Sequence, residues 1–254
     1  MQNCGFHFNT TYTNLPEKLY TCLQPEHAPA PDILLLNNAL ASDLGLDFSH
    51  LTSQQQADLF AGNALPENAA PFAQAYAGHQ FGHFTVLGDG RAVLWGEHLT
   101  PNGARVDVQF KGSGHTPYSR GGDGRGALAP MLREYILSEA MHALGIPTTR
   151  SLAVATTGET VMRERPEPGG ILTRVAASHI RVGTFEYAAA LQQPDLVKDL
   201  LDYTVNRHFP TLKNAENKAL SFLDAVMVKQ ADLITNWMRV GFIHGVMNTD
   251  NMAL

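Results

Sequence analysis

The segment at residues 106–114 constrains the fold of this chain more than any other stretch. It reads Val-Asp-Val-Gln-Phe-Lys-Gly-Ser-Gly, so that apolar and polar residues alternate up to a glycine-rich turn. This alternation predicts a β-strand with Lys111 on its polar face. A lysine supplies a point charge, and glycines allow backbone N–H groups to approach anionic oxygens closely. The segment therefore predicts a strand that ends at a polyphosphate-binding turn.

The composition limits the classes of protein to which the chain can belong. Its 254 residues are 44% hydrophobic and 17% charged, which is typical of a globular protein with one large domain or two lobes. The net charge of −6 argues against nucleic-acid binding, which needs a dense basic surface. Two cysteines, Cys4 and Cys22, do not make a disulfide framework. No apolar run approaches the ~18 residues that span a bilayer and no signal peptide is recognisable, so we expect a cytoplasmic protein without a membrane partner.

The spacing of apolar residues divides the chain into three predicted parts. Residues 1–72 are interpreted as a helical and loop-rich extension, residues 73–177 as a strand-rich domain, and residues 178–254 as a helical domain. Strands followed by helices predict an α+β fold with two lobes. Within the extension, residues 32–46 carry apolar residues at helical spacing, and Thr52 is the predicted N-cap of a short helix.

Two β-hairpins are predicted in the strand-rich part. Residues 84–87 and 92–95 flank Gly-Asp-Gly, and residues 151–156 and 159–164 flank Thr-Gly, both of which are turn signals. The first turn is either an ordinary type I′ turn or, one strand away from Lys111, the upper half of a nucleotide clamp.

A second glycine-rich turn, residues 121–126, precedes a predicted helix that has Pro130 in its first turn. Backbone N–H groups at the start of such a helix suit phosphate, although a flexible surface loop fits the same residues. Arg174 on a predicted strand and Arg181 shortly after it are candidates for charge-assisted bonds to a phosphate. Surface ion pairs are the alternative for both.

His79 and His83 are four residues apart. On a helix this spacing can bind zinc. Gly82 between them and the lack of a nearby Glu or Cys ligand favour structural histidines instead.

A lysine strand, a helix glutamate and a later His-containing loop together make the layout of protein kinases. Glu134 lies on or near the polar side of the predicted helix, 23 residues after Lys111. These features predict a protein-kinase-like fold with a strand-rich N-lobe, an N-terminal helical extension and an incomplete helical C-lobe.

The closing segment, residues 244–251, departs from the kinase pattern at one position. The pattern H-R-D-x-x-x-x-N places His244 and Asn251 at the His and at the metal-binding Asn. Val246 stands where the catalytic Asp is expected, whereas Asp250 lies beside Asn251. The residues therefore predict kinase-like nucleotide binding with displaced chemistry.

Four motifs make the resemblance specific, at residues 76–83, 109–114, 116–126 and 244–251. Together they resemble the selenoprotein O family, pseudokinases with a kinase-like fold that act as protein adenylyltransferases. The resemblance implies that ATP binds inverted relative to ordinary kinases. It implies that AMP is moved from ATP to a Ser, Thr or Tyr hydroxyl of a protein substrate.

The resemblance also implies a set of site residues. The implied nucleotide-binding residues are Gly88, Gly90, Arg91, Lys111, Asp123, Gly124, Arg174 and Arg181. Glu134 is implied as the ion-pair partner of Lys111, Asp250 as the proton acceptor, and Asn251 as a ligand of Mg²⁺, with Mn²⁺ as the alternative.

In the resemblance, a second metal-binding Asp follows Asn251 by about ten residues. Because the chain ends at Leu254, we expect an N-terminal fragment with exposed apolar surface on its helical part and impaired transfer. Two other functions stay open from the sequence. One is a conventional kinase that phosphorylates a small molecule or a protein with Asp250 as base, and the other is a non-catalytic nucleotide-binding module.

Overall fold

The computed structural model describes residues 4–254, so that the first three residues of the predicted extension lie outside it. The fold is α+β, as predicted, and is built on a seven-stranded antiparallel sheet and a separate two-stranded sheet. The strands are β1 (Tyr20–Cys22), β2 (Asp32–Leu36), β3 (Phe72–Gln74), β4 (Ala77–Gln80), β5 (His83–Val86), β6 (Ala92–Leu99), β7 (Arg105–Lys111), β8 (Arg150–Met162) and β9 (Pro166–Ala176). The helices are α1 (Asn38–Asp43), α2 (Ser53–Phe60), α3 (Leu128–Ala143), α4 (Val182–Ala190), α5 (Pro194–His208) and α6 (Lys218–Arg239).

Strand β7, the predicted lysine strand, lies at the centre of the large sheet, whose order is β1-β3-β6-β7-β9-β8-β2. Its apolar side chains, Val108 and Phe110, belong to the main core, where the rings of Phe110 and Trp95 lie 4.6 Å apart. Its polar side chains Asp107 and Gln109 are buried as well. Both faces of the strand are therefore covered, and its polar face has to find partners inside the protein.

The predicted helical character of residues 32–46 is wrong for the first third of that range. Residues 32–36 form strand β2, in which Ile33 pairs with Ala155 and Leu36 with Ala153 of β8. Only α1 is helical, begun by the Asn37 side chain as N-cap. Pairing with a distant strand therefore overrides the local spacing of apolar residues.

The extension is a part of the large sheet rather than a separate helical layer. Its two strands, β1 and β2, are the two edges of that sheet. The short helix predicted after Thr52 is confirmed as α2, whose first turn has a capping box between Thr52 and Gln55.

The first predicted hairpin is wrong, because β5 pairs with β4 and not with β6. Phe81 and Gly82, at φ 51° and 82°, make a two-residue turn that returns the chain onto β4. The Gly-Asp-Gly turn is instead attached to β3, because the Asp89 carboxylate accepts a hydrogen bond from the Gln74 backbone N–H at 3.0 Å.

The second predicted hairpin is also wrong. Residues 150–162 form the single strand β8, which pairs with β9, and the Thr-Gly signal marks an irregularity between Thr156 and Thr160. Gly158 there has φ 74° and lies against Ala30, which explains the glycine without a hairpin.

The spacing of His79 and His83 is not helical, because they lie on the two paired strands β4 and β5. Within residues 4–254 no group of three or more His, Cys, Asp and Glu side chains is arranged to hold a metal ion.

The other predicted helices are confirmed. Helix α3 packs Met131 against Val154 and Leu172 of the sheet, and α5 buries Leu196 and Leu200. Helix α6 has one buried residue, Phe222, and carries the predicted exposed apolar surface. The exposed large apolar side chains on this helix are Leu220, Leu223, Met227, Val228 and Met238. None of the helices in the described part of the chain is both long and apolar enough to cross a bilayer.

A buried ion network joins helix α5 to the centre of the sheet. Arg207 of α5 lies 3.2 Å from Glu97 Oε1 of β6 and donates from Nη2 to Asp107 Oδ1 of β7 at 2.6 Å. The side chains of Glu97 and Asp107 are 0% and 1% exposed. Because their desolvation is unfavourable without a cation, Arg207 fixes where α5 meets the sheet.

We expect Arg207→Met to lower the free energy of unfolding by about 3–5 kcal/mol, because the buried Asp107 loses its arginine partner, whereas Glu97 keeps Arg105 at 2.9 Å. Arg165→Met is the matched control, since that side chain is 83% exposed and lies 3.9 Å from Glu167. The control should change stability by less than about 0.5 kcal/mol. Urea unfolding measures both, and equal effects of the two variants would contradict this account of the network.

Candidate functional site

The predicted site residues meet around one cavity of about 580 Å³. This volume lies in the range of small-molecule sites. Ten of the eleven line the cavity: Gly88, Gly90, Arg91, Lys111, Asp123, Gly124, Arg174, Arg181, Asp250 and Asn251. Glu134, the eleventh, lies behind Lys111. The fold therefore gathers side chains from the first glycine turn, β7, the second glycine turn, β9 and the closing segment.

The cavity concentrates positive charge in a chain whose net charge is −6. Seven cationic side chains and three carboxylates line it. The cations are Arg91, Lys111, Arg120, Arg125, Arg163, Arg174 and Arg181, and the carboxylates are Asp89, Asp123 and Asp250. Such an excess focuses a positive potential that favours a polyanionic ligand.

Glu134 of α3 is shared by two cations at the floor of the cavity. Lys111 Nζ donates to its Oε2 at 2.5 Å, and Arg174 Nε donates to its Oε1 at 2.5 Å. Arg174 Nη1 also donates to Gln109 Oε1 at 3.2 Å. The glutamate therefore fixes both cations at the ends of neighbouring strands.

The pKa values of this group reflect burial and crowded charge. Burial lowers the pKa of Lys111 to about 7, and Arg174 adds to this effect while Glu134 opposes it. Burial alone would raise the pKa of Glu134, but Arg174 and Lys111 hold that pKa at about 2. Glu134 is therefore a carboxylate at neutral pH, and Lys111 changes its charge near neutrality.

Arg181, just before α4, connects the two sides of the cavity. Its Nη1 donates to the Asp250 carbonyl oxygen at 2.6 Å, and its guanidinium carbon lies 4.5 Å from the centre of the Tyr76 ring. Its Nη2 lies 4.0 Å from Asp89 Oδ1. The guanidinium is thus held by a carbonyl, an aromatic face and a carboxylate.

The first glycine turn is held by steric fit as well as by hydrogen bonds. A Cβ on Gly88 would lie 2.4 Å from Tyr118 Cγ, and one on Gly90 would lie 2.7 Å from the Tyr118 carbonyl oxygen. Gly88 also has φ 57°. Thr116 Oγ1 donates to the Asp89 carbonyl oxygen at 2.8 Å. Residues 116–119 therefore require glycines in the turn beneath them.

Asp89 is a buried residue of the site that the sequence reasoning missed. Its Oδ2 accepts from the Gln74 N–H and, at 3.4 Å, from Gln109 Nε2. Burial raises its pKa. Its only signal in the sequence is its place between two glycines, which predicts turn geometry and no buried contact.

The second glycine turn is held by ion pairs. Arg163 Nη1 donates to Asp123 Oδ2 at 2.8 Å, and the Arg125 backbone N–H donates to Asp123 Oδ1 at 2.9 Å. A Cβ on Gly124 would lie 2.0 Å from the Gly114 carbonyl oxygen, so this turn packs directly against the end of the β7 segment. Arg163 is a further site residue that the sequence did not indicate.

Asp250 lies in a single 3₁₀ turn, Thr249–Asn251, that faces the cavity. It is 7% exposed, and no donor in the described chain reaches its Oδ1 within hydrogen-bond distance. Asn251 Nδ2 donates to the Val246 carbonyl oxygen at 3.2 Å. The ring of His244 stacks on Trp237 and does not line the cavity. Asp250 is thus a buried carboxylate in the wall of the cavity.

The charge of Lys111 leads to a prediction about proton uptake. Because its pKa is lowered to about 7, its positive charge is complete below that pH and is lost as the pH rises through it. We expect tripolyphosphate binding at about pH 8 to take up between about half and one proton, since the anion favours the charged lysine. Calorimetry in two buffers of different ionisation enthalpy measures this uptake.

Lys111→Arg should reduce the uptake to near zero, because a guanidinium stays charged at this pH. Lys18→Arg is the matched control on an exposed lysine that donates to Gln193 and should keep the native value. Native uptake in Lys111→Arg would assign the titration to another group.

Comparison with known proteins places the chain in a family. A family model described as "Protein adenylyltransferase SelO" matches residues 3–254. Proteins named "Protein nucleotidyltransferase YdiU" are similar to it. The one from Nitrosococcus oceani is 63% identical over 253 residues, which is 100% of this chain and 51% of that protein.

Two further proteins of that name support the same assignment. The one from Halalkalibacterium halodurans is 61% identical over 251 residues, covering 98% of this chain and 51% of that protein. The one from Pelagibacter ubique is 58% identical over 250 residues, covering 98% and 52% respectively. The chain spans about half the length of the curated relatives it matches. This chain belongs to the SelO family.

Proposed function

We propose that this protein is a protein adenylyltransferase that transfers AMP from ATP to Ser, Thr or Tyr hydroxyls of other proteins. The observation that carries the proposal is the cavity in which seven cations surround a buried carboxylate, Asp250, whose Oδ1 has no donor among the described residues. The cations suit a triphosphate, and the carboxylate suits removal of a hydroxyl proton. The names of the similar proteins agree with nucleotidyl transfer to a protein.

We propose a kinase-like, two-lobed arrangement for this function. Strand β7 carries the lysine and α3 carries its glutamate partner, and this ion pair between a strand and a helix is a feature of the kinase N-lobe. Residues 73–177 form this lobe together with the edge strands from residues 1–72. Residues 178–254 form part of a helical lobe that ends at the segment carrying Asp250.

The proposed roles follow from the contacts. Gly88, Gly90 and Arg91 approach the nucleotide from the first glycine turn, and Asp123 and Gly124 belong to the second turn that holds it. The proposed phosphate-binding cations are Lys111, Arg174 and Arg181. Because Glu134 holds Lys111 and Arg174 at 2.5 Å each, these two cations are positioned before ATP arrives.

In the proposed reaction, an acceptor hydroxyl oxygen forms a bond to the α-phosphorus of ATP. The bond from that phosphorus to the bridging oxygen of the β-phosphate breaks, and pyrophosphate leaves. Asp250 accepts the hydroxyl proton as general base.

A divalent cation fits the oxygen chemistry of the closing segment. Mg²⁺ in proteins takes one or two carboxylates and substrate phosphates as ligands, and the segment provides the Asn251 side chain next to Asp250. Asn251 Nδ2 donates to the Val246 carbonyl oxygen, so that the amide Oδ1 is the candidate ligand atom. Asn251 would hold Mg²⁺ or Mn²⁺, which would supply positive charge to the phosphates.

A conventional kinase is the second candidate, because its cavity would contain the same lysine–glutamate pair. Incubation of the full-length protein and acceptor proteins with α-³²P-ATP or γ-³²P-ATP separates the two reactions. We expect label on protein only from the α position. Label only from the γ position would replace the proposal by phosphorylation, and ATP binding with no label from either would support a non-catalytic module.

We expect Asp250→Asn to lower AMP transfer by about 10²–10⁴-fold, since the proton acceptor is lost, while ATP binding is kept. Lys111→Ala should instead weaken ATP binding, because a cation beside the phosphates is removed. Transfer rates and calorimetric ATP affinity measure the two effects. Asp224→Asn and Lys198→Ala, on exposed residues of α6 and α5, are the matched controls. Native transfer in both Asp250→Asn and Lys111→Ala would refute the assigned site.

A further inference from the structure

The 3₁₀ turn that carries Asp250 is too short to hold its own geometry. It contains three residues, Thr249–Asn251, and its one backbone hydrogen bond runs from the Asn251 N–H to the Asn248 carbonyl oxygen. Short 3₁₀ turns have poor hydrogen-bond geometry. A reacting carboxylate has to be held within a fraction of an ångström. The support for Asp250 therefore has to come from other elements.

Strand β4 supplies a wall for the Asp250 carboxylate. A Cβ on Gly78 would lie 2.3 Å from Asp250 Oδ1, so that the carboxylate lies directly on the peptide of Gly78. Gly183, in the first turn of α4, is equally crowded, since a Cβ there would lie 2.1 Å from the Ala77 carbonyl oxygen and 3.2 Å from Asp250 Cα. Two glycines thus let strand, helix and turn approach each other at one point.

Polar contacts attach the turn to the same two elements. Thr249 Oγ1 donates to Glu186 Oε2 of α4, and Asn248 Nδ2 donates to the His79 carbonyl oxygen of β4 at 2.7 Å. Glu186 Oε1 lies 3.6 Å from His79 Nδ1, which connects helix to strand. None of Thr249, Glu186 and His79 lines the cavity. Their contacts with the turn therefore lie outside the cavity.

We propose that β4 and α4 clamp the Asp250 turn, with Gly78, Glu186 and Thr249 as positioning residues for the reaction. The Thr249–Glu186 bond is charge-assisted and fixes the residue before Asp250. The backbone of Gly78 is the surface against which the Asp250 carboxylate packs. The effect of the clamp on catalysis rests on the proposed function. The attachment of the turn to β4 and α4 does not depend on that function.

The central test is Thr249→Val in the full-length protein, which keeps the shape of the side chain and removes the donor. We expect kcat for AMP transfer to fall by at least about tenfold, because the carboxylate is no longer held at its productive position. KM for ATP should stay within about twofold, since the residue does not line the cavity. Thr249→Ser should restore kcat, because it restores the hydroxyl.

Further variants separate this role from a loss of fold. Glu186→Ala should lower kcat for AMP transfer as much as Thr249→Val does. Glu186→Gln keeps an acceptor oxygen and should retain a higher kcat. Gly78→Ala should also lower kcat, because the added methyl group would push the Asp250 carboxylate away from strand β4. Thr235→Val is the matched control, because this exposed threonine on α6 donates only to the Ala231 carbonyl oxygen of its own helix.

Hydrogen–deuterium exchange gives a readout that does not need activity. Peptides covering residues 246–252 should exchange faster in Thr249→Val and Glu186→Ala than in the native protein, and at the native rate in Thr249→Ser and Thr235→Val. Native kcat and native exchange in both Thr249→Val and Glu186→Ala would overturn the clamp. If the native protein transfers no AMP, the proposed function is lost, and the exchange rates still decide whether the turn is held in this way.

Discussion

The paired polar face of strand β7 is the constraint on which the rest of the structure depends. Three of its four polar side chains are held by elements outside the strand: Asp107 by Arg207 of α5, Gln109 by Arg174 of β9, and Lys111 by Glu134 of α3. A buried charge without a partner is strongly unfavourable. One strand therefore determines where two helices and a neighbouring strand meet the sheet, and its last residue delivers a lysine to the cavity.

Local signals in the sequence predicted the elements whose geometry is decided locally. The alternation in β7, the capping box at Thr52 and the amphipathic faces of α3 and α5 each depend on residues a few positions apart. Partner choice in the sheet depends on distant residues. The local pattern predicts a helix at β2 and pairing of β5 with β6, because nothing near these segments in the sequence shows that β8 and β4 are their partners.

The residues of the candidate site also fall into two groups, those that the sequence indicates and those whose role depends on a distant neighbour. Its glycines, lysine and closing carboxylate were predictable because their types and order resemble a known family. Asp89, Arg163 and Gly78 were not, since the role of each comes from a neighbour brought close by folding: the Gln74 N–H, the Asp123 carboxylate and the Asp250 carboxylate. Some glycines are required because a distant side chain packs against their Cα. In the sequence, such a glycine cannot be distinguished from any other glycine in a strand.

The position of Arg181 makes one positive charge of the cavity depend on three distant segments of the chain. Its guanidinium contacts the Asp250 carbonyl oxygen of the closing segment, the Tyr76 ring just before β4 and the Asp89 carboxylate of the first glycine turn. A change in any one of these segments therefore alters the charge that the cavity offers to an anion, even where the altered residue does not touch the anion.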